Sequence, residues 1–322
     1  MDLEERILHY YLKIFSICII LLILYLSIYI LIFFNKNLVL KTKIFTIAKG
    51  EKIENLLRKN VDNLFYLDIL YFKIFYQIKN RYKNIFIHYG DFKITKNPTP
   101  NELISLISKP SNVLNKITII EGWSQEQLNY EIAKNFSVKK IIPYEDVIAD
   151  TYYFNKNQDF DIFTKKLIQL KKEYFSKHDN HPLLKEFNIN EIIIIGSLIE
   201  KEGLDKIDKQ NIASVIFNRL KNKMKLQIDA TVIYSLTNGK YNLNRKLLIS
   251  DLKFIHPYNT YVNTGLPPKP ISYVGKKTLD IIFENYKTDF LFYFFNKSLN
   301  RHIFSKNYEE HKLKLNEYRN KQ

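Results

Sequence analysis

The sequence predicts an α+β protein that begins with a membrane-spanning helix. Three observations support this prediction. A charge-free apolar run fills residues 14–34. Short strand, turn and helix patterns then alternate through residues 40–110 and again through residues 111–184. A strongly helical stretch opens the remaining part, residues 185–322, which ends with an apolar strand pattern and a helix. Segregated short strands and amphipathic helices of this kind are typical of the α+β class.

The apolar run reads IFSICIILLILYLSIYILIFF and contains no charged side chain. A helix of this length spans about 30 Å, the thickness of the hydrocarbon core of a bilayer. The run ends in Phe33, Phe34, Asn35 and Lys36, whereas a cleaved signal peptide has a shorter apolar core and small residues at its cleavage site. The pattern therefore predicts an uncleaved anchor, preceded by a short tail at residues 1–13.

The charges around the anchor do not fix its orientation. Arg6 and Lys13 precede it, and four lysines follow it before residue 50, so the positive-inside rule leans weakly towards an external N-terminus. Later apolar segments are too short to cross a bilayer. The sequence thus predicts a single-pass protein with nearly all of its mass on one side of the membrane.

Composition narrows the functional classes. Lys and Arg exceed Asp and Glu by 16, which would suit nucleic acid, anionic lipid or an anionic polymer. The lysines are scattered and no nucleic-acid motif is present, so we attribute most of the excess to codon bias and predict no nucleic-acid partner. One cysteine excludes an intrachain disulfide. Dispersed histidines and the lack of a glycine-rich loop predict no metal and no cofactor.

Residues 40–184 contain two similar strand–turn–helix patterns, centred on Gly50 and Gly122. Ser124 is the expected cap of the helix after the second turn. Between the two patterns, a further helix is expected to begin near Thr99 with Pro100 at its first position. Residues 155–183 are interpreted as a linker that contains an amphipathic helix.

Elements of the last part are predicted from periodicity, caps and breakers. They are a helix capped by Asn190, a helix over Ile212–Lys221, an extended or turn-rich segment from Gln227, a fixed loop at Gly265–Pro270, a strand over Phe290–Phe295 and a helix from Tyr308.

Glu202 is the first candidate functional residue. It continues the apolar stripe formed by Ile195 and Leu198, while Glu200 points away from that stripe. A carboxyl group on a buried face has a raised pKa and can hold a proton near neutral pH, as a general acid must. The alternative is a helix that ends at Gly203, with Glu202 already turned towards solvent.

Six motifs occur in a characteristic order. They are EGW at Glu121–Trp123, IEKEG at Ile199–Gly203, IASVIFNRLKNKMKLQIDATVIY at Ile212–Tyr234, PYNTY at Pro257–Tyr261, GLPPKPI at Gly265–Ile271 and HIF at His302–Phe304. Together they resemble the endolytic murein transglycosylases, the YceG-like family. The resemblance extends from about residue 40 to the C-terminus.

This resemblance implies a LysM-like subdomain at residues 40–110 and a mixed α+β catalytic domain at residues 185–322. The implied reaction cleaves the β-1,4 bond between N-acetylmuramic acid and N-acetylglucosamine in nascent peptidoglycan, leaves a 1,6-anhydro end and terminates strand elongation. Glu202 matches the family's catalytic glutamate, with Glu200 as the second candidate. The implied location is the inner membrane, with a cytoplasmic N-terminus and an external catalytic domain. Implied partners are glycan strands, membrane lipid and a peptidoglycan synthase.

The other motif residues are candidate substrate contacts. Asp229 is also the candidate for a second carboxylate, or else a turn residue, and His302 either orients the glutamate or has a purely structural role. The candidates are Asn218, Gln227, Asp229, Tyr258, Asn259, Tyr261 and His302. Two other functional classes remain open, namely a non-catalytic glycan-binding scaffold and a hydrolytic muramidase, which usually needs a second carboxylate.

Overall fold

A computed structural model describes residues 3–155 and 158–320, and the side chains of residues 3–6 are not part of that description. The chain divides into two compact units. The first comprises Met1–Asn115 with Phe154–Gln158, and the second comprises Lys116–Tyr153 with Asp159–Gln322. The mixed α+β class predicted from the sequence is confirmed, since long helices accompany small two-stranded sheets. The finer domain limits stay a prediction.

The first unit pairs two strands around two helices. Its elements are α1 (Leu3–Asn35), β1 (Ile44–Ile47), α2 (Ile53–Asn60), α3 (Tyr66–Lys83), β2 (Gly90–Lys93) and α4 (Pro100–Ile107). Strands β1 and β2 are antiparallel, with Ile44 opposite Lys93 and Ile47 opposite Gly90. Pro100 begins α4 and Thr99 caps it, as predicted. The LysM-like character of this strand–helix–helix–strand unit stays a prediction.

Helix α1 is the apolar helix predicted at the N-terminus. An 18-residue window within Ile7–Asn35 has a mean hydropathy of 3.1, and the helix is long and apolar enough to cross a membrane. Most of its side chains are exposed, but Phe33 near its end is buried in the core of the first unit. The predicted cytoplasmic tail begins outside the described residues, and its location stays a prediction.

The remaining elements follow in order. They are β3 (Asn115–Thr118), α5 (Gln125–Phe136), a 3₁₀ turn (Tyr144–Asp146), β4 (Thr151–Phe154), α6 (Phe160–Ser176), α7 (Leu183–Glu186), α8 (Ile189–Glu202), α9 (Lys206–Lys221), α10 (Asp229–Thr237), α11 (Ile249–Leu252), α12 (Lys276–Phe283), β5 (Phe292–Asn296), β6 (Arg301–Ser305) and α13 (Tyr308–Arg319).

Helix α8 is the centre of the second unit. Its residues from Ile192 to Ile199 are all buried, and it packs against α9, α10 and α12. Helix α8 is thus surrounded by protein on nearly every side, rather than buried along one stripe. Such a helix holds its last residue, Glu202, in a fixed position at the edge of the core.

Two helix starts differ from the sequence prediction. Helix α8 is capped by Asn188 rather than Asn190: its side-chain oxygen accepts from the backbone N–H of Glu191, whose carboxylate accepts from the N–H of Asn188. This reciprocal capping box fixes the start two residues earlier. Helix α9 begins at Lys206 instead of Ile212, because the Asp205 side chain caps it. The sequence did not predict this earlier start, since the first turn is polar and has no apolar periodicity.

The segment after Gln227 also differs from its prediction. It is helical from Asp229 to Thr237 rather than extended. Gln227 itself has a left-handed backbone conformation, with φ of 51°, which turns the chain sharply into α10. The β-branched residues of the segment favoured an extended interpretation, but their burial against α8 stabilises the helix instead.

Candidate active site

The turn after α8 fixes the position of Glu202. Gly203 ends the helix, and its N–H donates to the carbonyl of Ile199 at 2.7 Å. A Cβ atom on Gly203 would lie 2.4 Å from Cγ of Lys209, so only glycine allows α9 to approach this closely. The helix therefore ends where the sequence suggested, but packing, rather than solvent, surrounds the last turn.

The carboxyl group of Glu202 is largely enclosed by protein. The backbone N–H of Ala230, at the start of α10, and the hydroxyl of Tyr293 on β5 lie beside it as donors that favour its charged form. Burial, together with the negative charge of Asp229, raises the pKa of Glu202 to about 7. The Ala230 N–H, His302 and Tyr293 oppose this rise. Glu202 can therefore exchange a proton near neutral pH.

Asp229 and Tyr261 lie beside Glu202. The Tyr261 hydroxyl donates to Oδ1 of Asp229 at 2.6 Å, and burial together with that carboxylate raises the pKa of Tyr261. Asp229 is exposed and is also the first residue of α10. It thus presents a carboxylate at the edge of the site, with its orientation set by a neighbouring loop.

Two threonines hold the Asp229 and Tyr261 segments together. The Thr231 and Thr260 hydroxyl oxygens are 2.9 Å apart, and both residues are almost completely buried. The Thr231 hydroxyl also accepts from the N–H of Thr260, and the Thr260 hydroxyl accepts from the N–H of Ile228. The motifs around residues 229 and 259 therefore form one continuous wall of the site.

His302 on β6 reaches the site through a buried partner. Its Nδ1 is 2.9 Å from Oδ2 of Asp208, and both side chains are almost completely buried. The same Asp208 oxygen accepts from the N–H of Leu204, within the turn that follows Glu202. The ring of His302 also meets Tyr293 edge to face, at 5.3 Å between centroids. Asp208 therefore links the turn after Glu202 to the imidazole beside it.

Glu200 has a different environment from the one expected. It points away from Glu202, but its side chain is only 2% exposed and forms an ion pair with Lys209 at 2.6 Å. Its other oxygen accepts from the N–H of Gly275 at 2.9 Å, and Lys209 also donates to Thr278. The two oxygens of Glu200 thus join α8 to α9 and to the start of α12. Glu200 is therefore buried through polar contacts, although it does not lie on the apolar stripe of the helix.

Arg219 and Asn218 hold the scaffold behind the site. The amide of Asn218 donates to the carbonyls of Thr288 and Phe290, so both of its N–H groups are engaged away from any substrate. Buried Arg219 donates to the carbonyl of Leu291 and to the side-chain oxygen of Gln227. Gln227 is exposed and keeps its amide N–H groups available at the site's edge.

Asn259 and Tyr258 also differ in their availability. Asn259 is fully buried: its amide donates to the carbonyls of Leu252 and Phe254, and its oxygen accepts from the N–H of Tyr261. It shapes the loop rather than facing a ligand. Tyr258 is half-buried and packs against Tyr234, with ring centroids 4.7 Å apart.

The sequence did not single out Tyr293, Asp208 or the N–H of Ala230. Tyr293 lies within an apolar strand pattern, where its hydroxyl alone indicated a need for a buried partner. Asp208 sits in a polar helical turn of ordinary composition. The contribution of Ala230 is a backbone group, which no side-chain motif can reveal.

A cavity of about 170 Å³ adjoins the start of α10. Its wall combines Ala230 and Tyr234 with the lysines Lys201 and Lys240 and the carboxylate of Glu126. This mixture of an aromatic ring with charged and polar groups is suited to a hydrated, polar ligand. Among the described residues, no group of three or more His, Cys, Asp or Glu side chains is arranged to hold a metal ion.

Comparison with known proteins establishes the family of this chain. The model of the YceG-like family matches residues 45–317, which include every residue of the site described above. The chain belongs to the YceG-like family.

Two curated relatives each match about half of the chain. An endolytic murein transglycosylase of Bacillus subtilis (strain 168) is 36% identical over 169 residues, which are 52% of this chain and 46% of that protein. An endolytic murein transglycosylase of Streptococcus pneumoniae serotype 2 is 27% identical over 173 residues, or 53% of this chain and 31% of that protein. The matched segments thus span less than half the length of these relatives.

A solved structure supports the fold. A crystal structure of a protein of Listeria monocytogenes described as YceG-like superposes with a TM-score of 0.52, at 22% identity, over 84% of this chain and 98% of that one. The chain described here and the Listeria protein therefore share one α+β fold.

Proposed function

We propose that this YceG-like protein is an endolytic murein transglycosylase in which Glu202 is the single acid and base. The observation that supports this most strongly is the environment of Glu202. The carboxyl group is buried enough to remain protonated near neutral pH, and hydrogen-bond donors are in place for its ionised form. Both curated relatives are named endolytic murein transglycosylases, which supports the same activity.

The proposed reaction needs one carboxyl group and no water. Protonated Glu202 donates its proton to the glycosidic oxygen while the bond from that oxygen to C1 of N-acetylmuramic acid breaks. The Glu202 carboxylate then accepts the proton of the C6 hydroxyl of the same sugar, whose oxygen forms a bond to C1. The products are a free 4-hydroxyl, a 1,6-anhydro end and a protonated Glu202 ready for the next cycle.

Neighbouring groups support both protonation states. The N–H of Ala230 and the hydroxyl of Tyr293 stabilise the carboxylate formed after proton donation. The negative charge of Asp229 raises the pKa of Glu202 and so stabilises its protonated form. Asp229 and Tyr261 lie beside this carboxyl group, and they and the exposed Gln227 are proposed to contact the two sugars, while the buried His302 is proposed to orient Glu202. Asn218 and Asn259 are not included, because their amides are engaged by backbone carbonyls.

One observation favours a second candidate, a hydrolytic muramidase. Asp229 is close enough to Glu202 to raise its pKa, and a retaining or inverting glycosidase uses two carboxyl groups at one bond. The hydrogen bond from Tyr261 holds Asp229 in its present orientation and satisfies one of its oxygens. We therefore propose that Asp229 raises the pKa of Glu202 and does not act as a second catalytic carboxylate.

Analysis of the cleaved ends tests this proposal. The full chain, reconstituted in vesicles, is incubated with uncrosslinked glycan strands, and the fragments are identified by mass spectrometry. We expect internal cleavage with 1,6-anhydro-N-acetylmuramic acid ends. Reducing ends would establish a muramidase, and strand binding without cleavage would establish a scaffold; either result contradicts the proposal.

We also propose that α1 anchors the protein in the inner membrane, with residues 35–322 outside it. The length and hydropathy of α1 support an anchor, and the proposed substrate lies outside the membrane. A reporter that is active only after export, fused after Gln322, should be active. Activity of a cytoplasm-only reporter at that position would contradict this topology.

A further inference from the structure

Helix α3 carries an apolar face that no part of the first unit covers. Its exposed large side chains recur at every fourth position, so they form a ridge that winds around the helix by about 40° per step, and the three central ones, Leu70, Ile74 and Ile78, share one side. Phe65, directly before the helix, is also 69% exposed. The side chains are Tyr66 (73% exposed), Leu70 (36%), Ile74 (42%), Ile78 (49%) and Tyr82 (81%). A surface helix normally turns polar residues outward, so a continuous apolar stripe needs an occupant.

The stripe is continuous with the apolar surface of α1. The hydroxyl of Tyr29 on α1 donates to Oδ1 of Asp68 at 2.7 Å, and its ring packs on Tyr71 at 5.8 Å. Further along both helices, Phe34 packs on Phe75 at 4.4 Å. The two helices therefore run in the same direction where they touch.

These contacts fix the depth of α3. Tyr29 lies within the apolar span Ile7–Asn35, about 9 Å along the helix axis before its end. A membrane crossed by α1 therefore has the first turns of α3 at the level of its hydrocarbon. Asp68, the acidic residue of these turns, is buried and hydrogen-bonded to Tyr29 and to the N–H of Phe65. Its charge is therefore shielded from lipid.

The charges along α3 follow the same gradient. Its first seven residues have no basic side chain, Lys73 in the middle is paired with Glu54 of α2, and its last two turns contain Lys79, Arg81 and Lys83. An apolar ridge that gains basic neighbours only towards its end matches a helix that passes from acyl chains towards anionic headgroups. Soluble protein surfaces do not require this order.

We propose that the apolar face of α3 inserts into the boundary between acyl chains and headgroups of the membrane that α1 crosses. This proposal rests on the proposed anchoring of α1. Because α3 runs in the same direction as α1, its first turns would enter the acyl-chain region while its last turns remain at the level of the headgroups. Two helices would then hold the first unit, so its orientation at the membrane surface would be fixed rather than free to rotate about one anchor.

Depth-dependent fluorescence quenching tests this proposal on the full chain. Cys18 is the one cysteine of the sequence and lies within the predicted span, so a probe on it reports the anchor itself. In a Cys18→Ser background, Leu70→Cys and Ile74→Cys report the face of α3. Asn55→Cys, on the exposed polar side of α2, is the matched control. Each bimane-labelled protein is reconstituted in vesicles that carry spin labels either near the headgroup or deep in the acyl chain.

We expect lipid spin labels to quench Leu70 and Ile74 several-fold more than Asn55, most strongly from the shallow position. Cys18 should be quenched most strongly by the deep label. If the probe on Cys18 is quenched while the probes at positions 70 and 74 behave like the probe at position 55, α3 does not insert, although α1 still crosses the membrane. Shielding of Leu70 and Ile74 that depends on the protein-to-lipid ratio would indicate a second copy on this face and would also overturn the proposal. An unquenched Cys18 would contradict the anchor itself.

Discussion

Two glutamates on the same helix end have opposite electrostatic environments. Glu200 contacts Lys209 in a buried ion pair, whereas Glu202 has donors beside its carboxyl group but no cation at hydrogen-bond distance among the described residues. Helical periodicity correctly separated their directions. It did not predict the ion pair, because Lys209 belongs to a helix whose first turn has no periodic pattern.

The first prediction contrasts these two residues. Glu202→Gln should reduce kcat at least about 10²-fold, since the amide keeps the shape but cannot donate the proton. The variant should melt no earlier than the wild-type protein. Glu200→Gln should show the reverse pattern, losing about 3 kcal/mol of stability by leaving Lys209 without its partner while the folded fraction keeps most of its kcat. Turnover and thermal melting are measured on both proteins, and an inactive Glu200→Gln beside an active Glu202→Gln would contradict the assignment.

A second prediction concerns Asp208 as a positioning residue. Asp208→Asn should loosen the imidazole of His302, which at present lowers the pKa of Glu202. The pKa of Glu202 should then rise, and the alkaline limb of the profile of kcat/KM against pH should move to higher pH. Asp205→Asn is the matched control, because asparagine caps a helix as well as aspartate. A variant that only melts earlier, with an unmoved limb, would show that Asp208 has a purely structural role.

At the scale of elements, the joint between α8 and α9 determines where the acid is placed. Buried α8, the capped start of α9 and the start of α10 meet at Glu202. The helix that carries Glu202 and the glycine that ends it were evident from spacing and turn chemistry. The donors from Ala230 and Tyr293 were not, because they come from elements about thirty and ninety residues away and depend on tertiary packing.

A third prediction tests this joint. Gly203→Ala would place a methyl group against Lys209 and should cost about 1–3 kcal/mol by forcing α9 away. The displacement should also lower kcat of the folded fraction, since Glu202 directly precedes the joint. Gly196→Ala is the control: it crowds Val274 in the middle of α8 and should lower the melting temperature without lowering kcat. Equal kcat in both variants would mean that the joint does not position Glu202.

At the scale of the whole molecule, the buried acid makes stability depend on pH. The pKa of Glu202 is about 7 in the folded protein and near 4.5 in the unfolded chain. The unfolded state therefore releases this proton first as pH rises. The stabilising difference is complete below about 4.5, is lost between 4.5 and 7, and does not change further above that range.

The fourth prediction follows from this linkage. Relative to Glu202→Gln, the wild-type protein should lose stability on the order of 3 kcal/mol as pH rises from about 4.5 to about 7, because one pKa unit corresponds to about 1.4 kcal/mol. Thermal melting of both proteins across this range measures the difference, and groups that titrate in both proteins cancel. Parallel curves would mean that water reaches the carboxyl group freely.

The central claim is that Glu202 alone serves as acid and base, so that no water enters the reaction. Cleavage of glycan strands in H₂¹⁸O by the reconstituted full chain, followed at once by mass spectrometry of the new ends, tests this claim most directly. We predict muramic ends that lack the elements of water and carry no ¹⁸O, formed by the wild-type protein and not by Glu202→Gln. Ends that carry ¹⁸O at C1 would contradict the account and would make Asp229 the second carboxylate of a hydrolase.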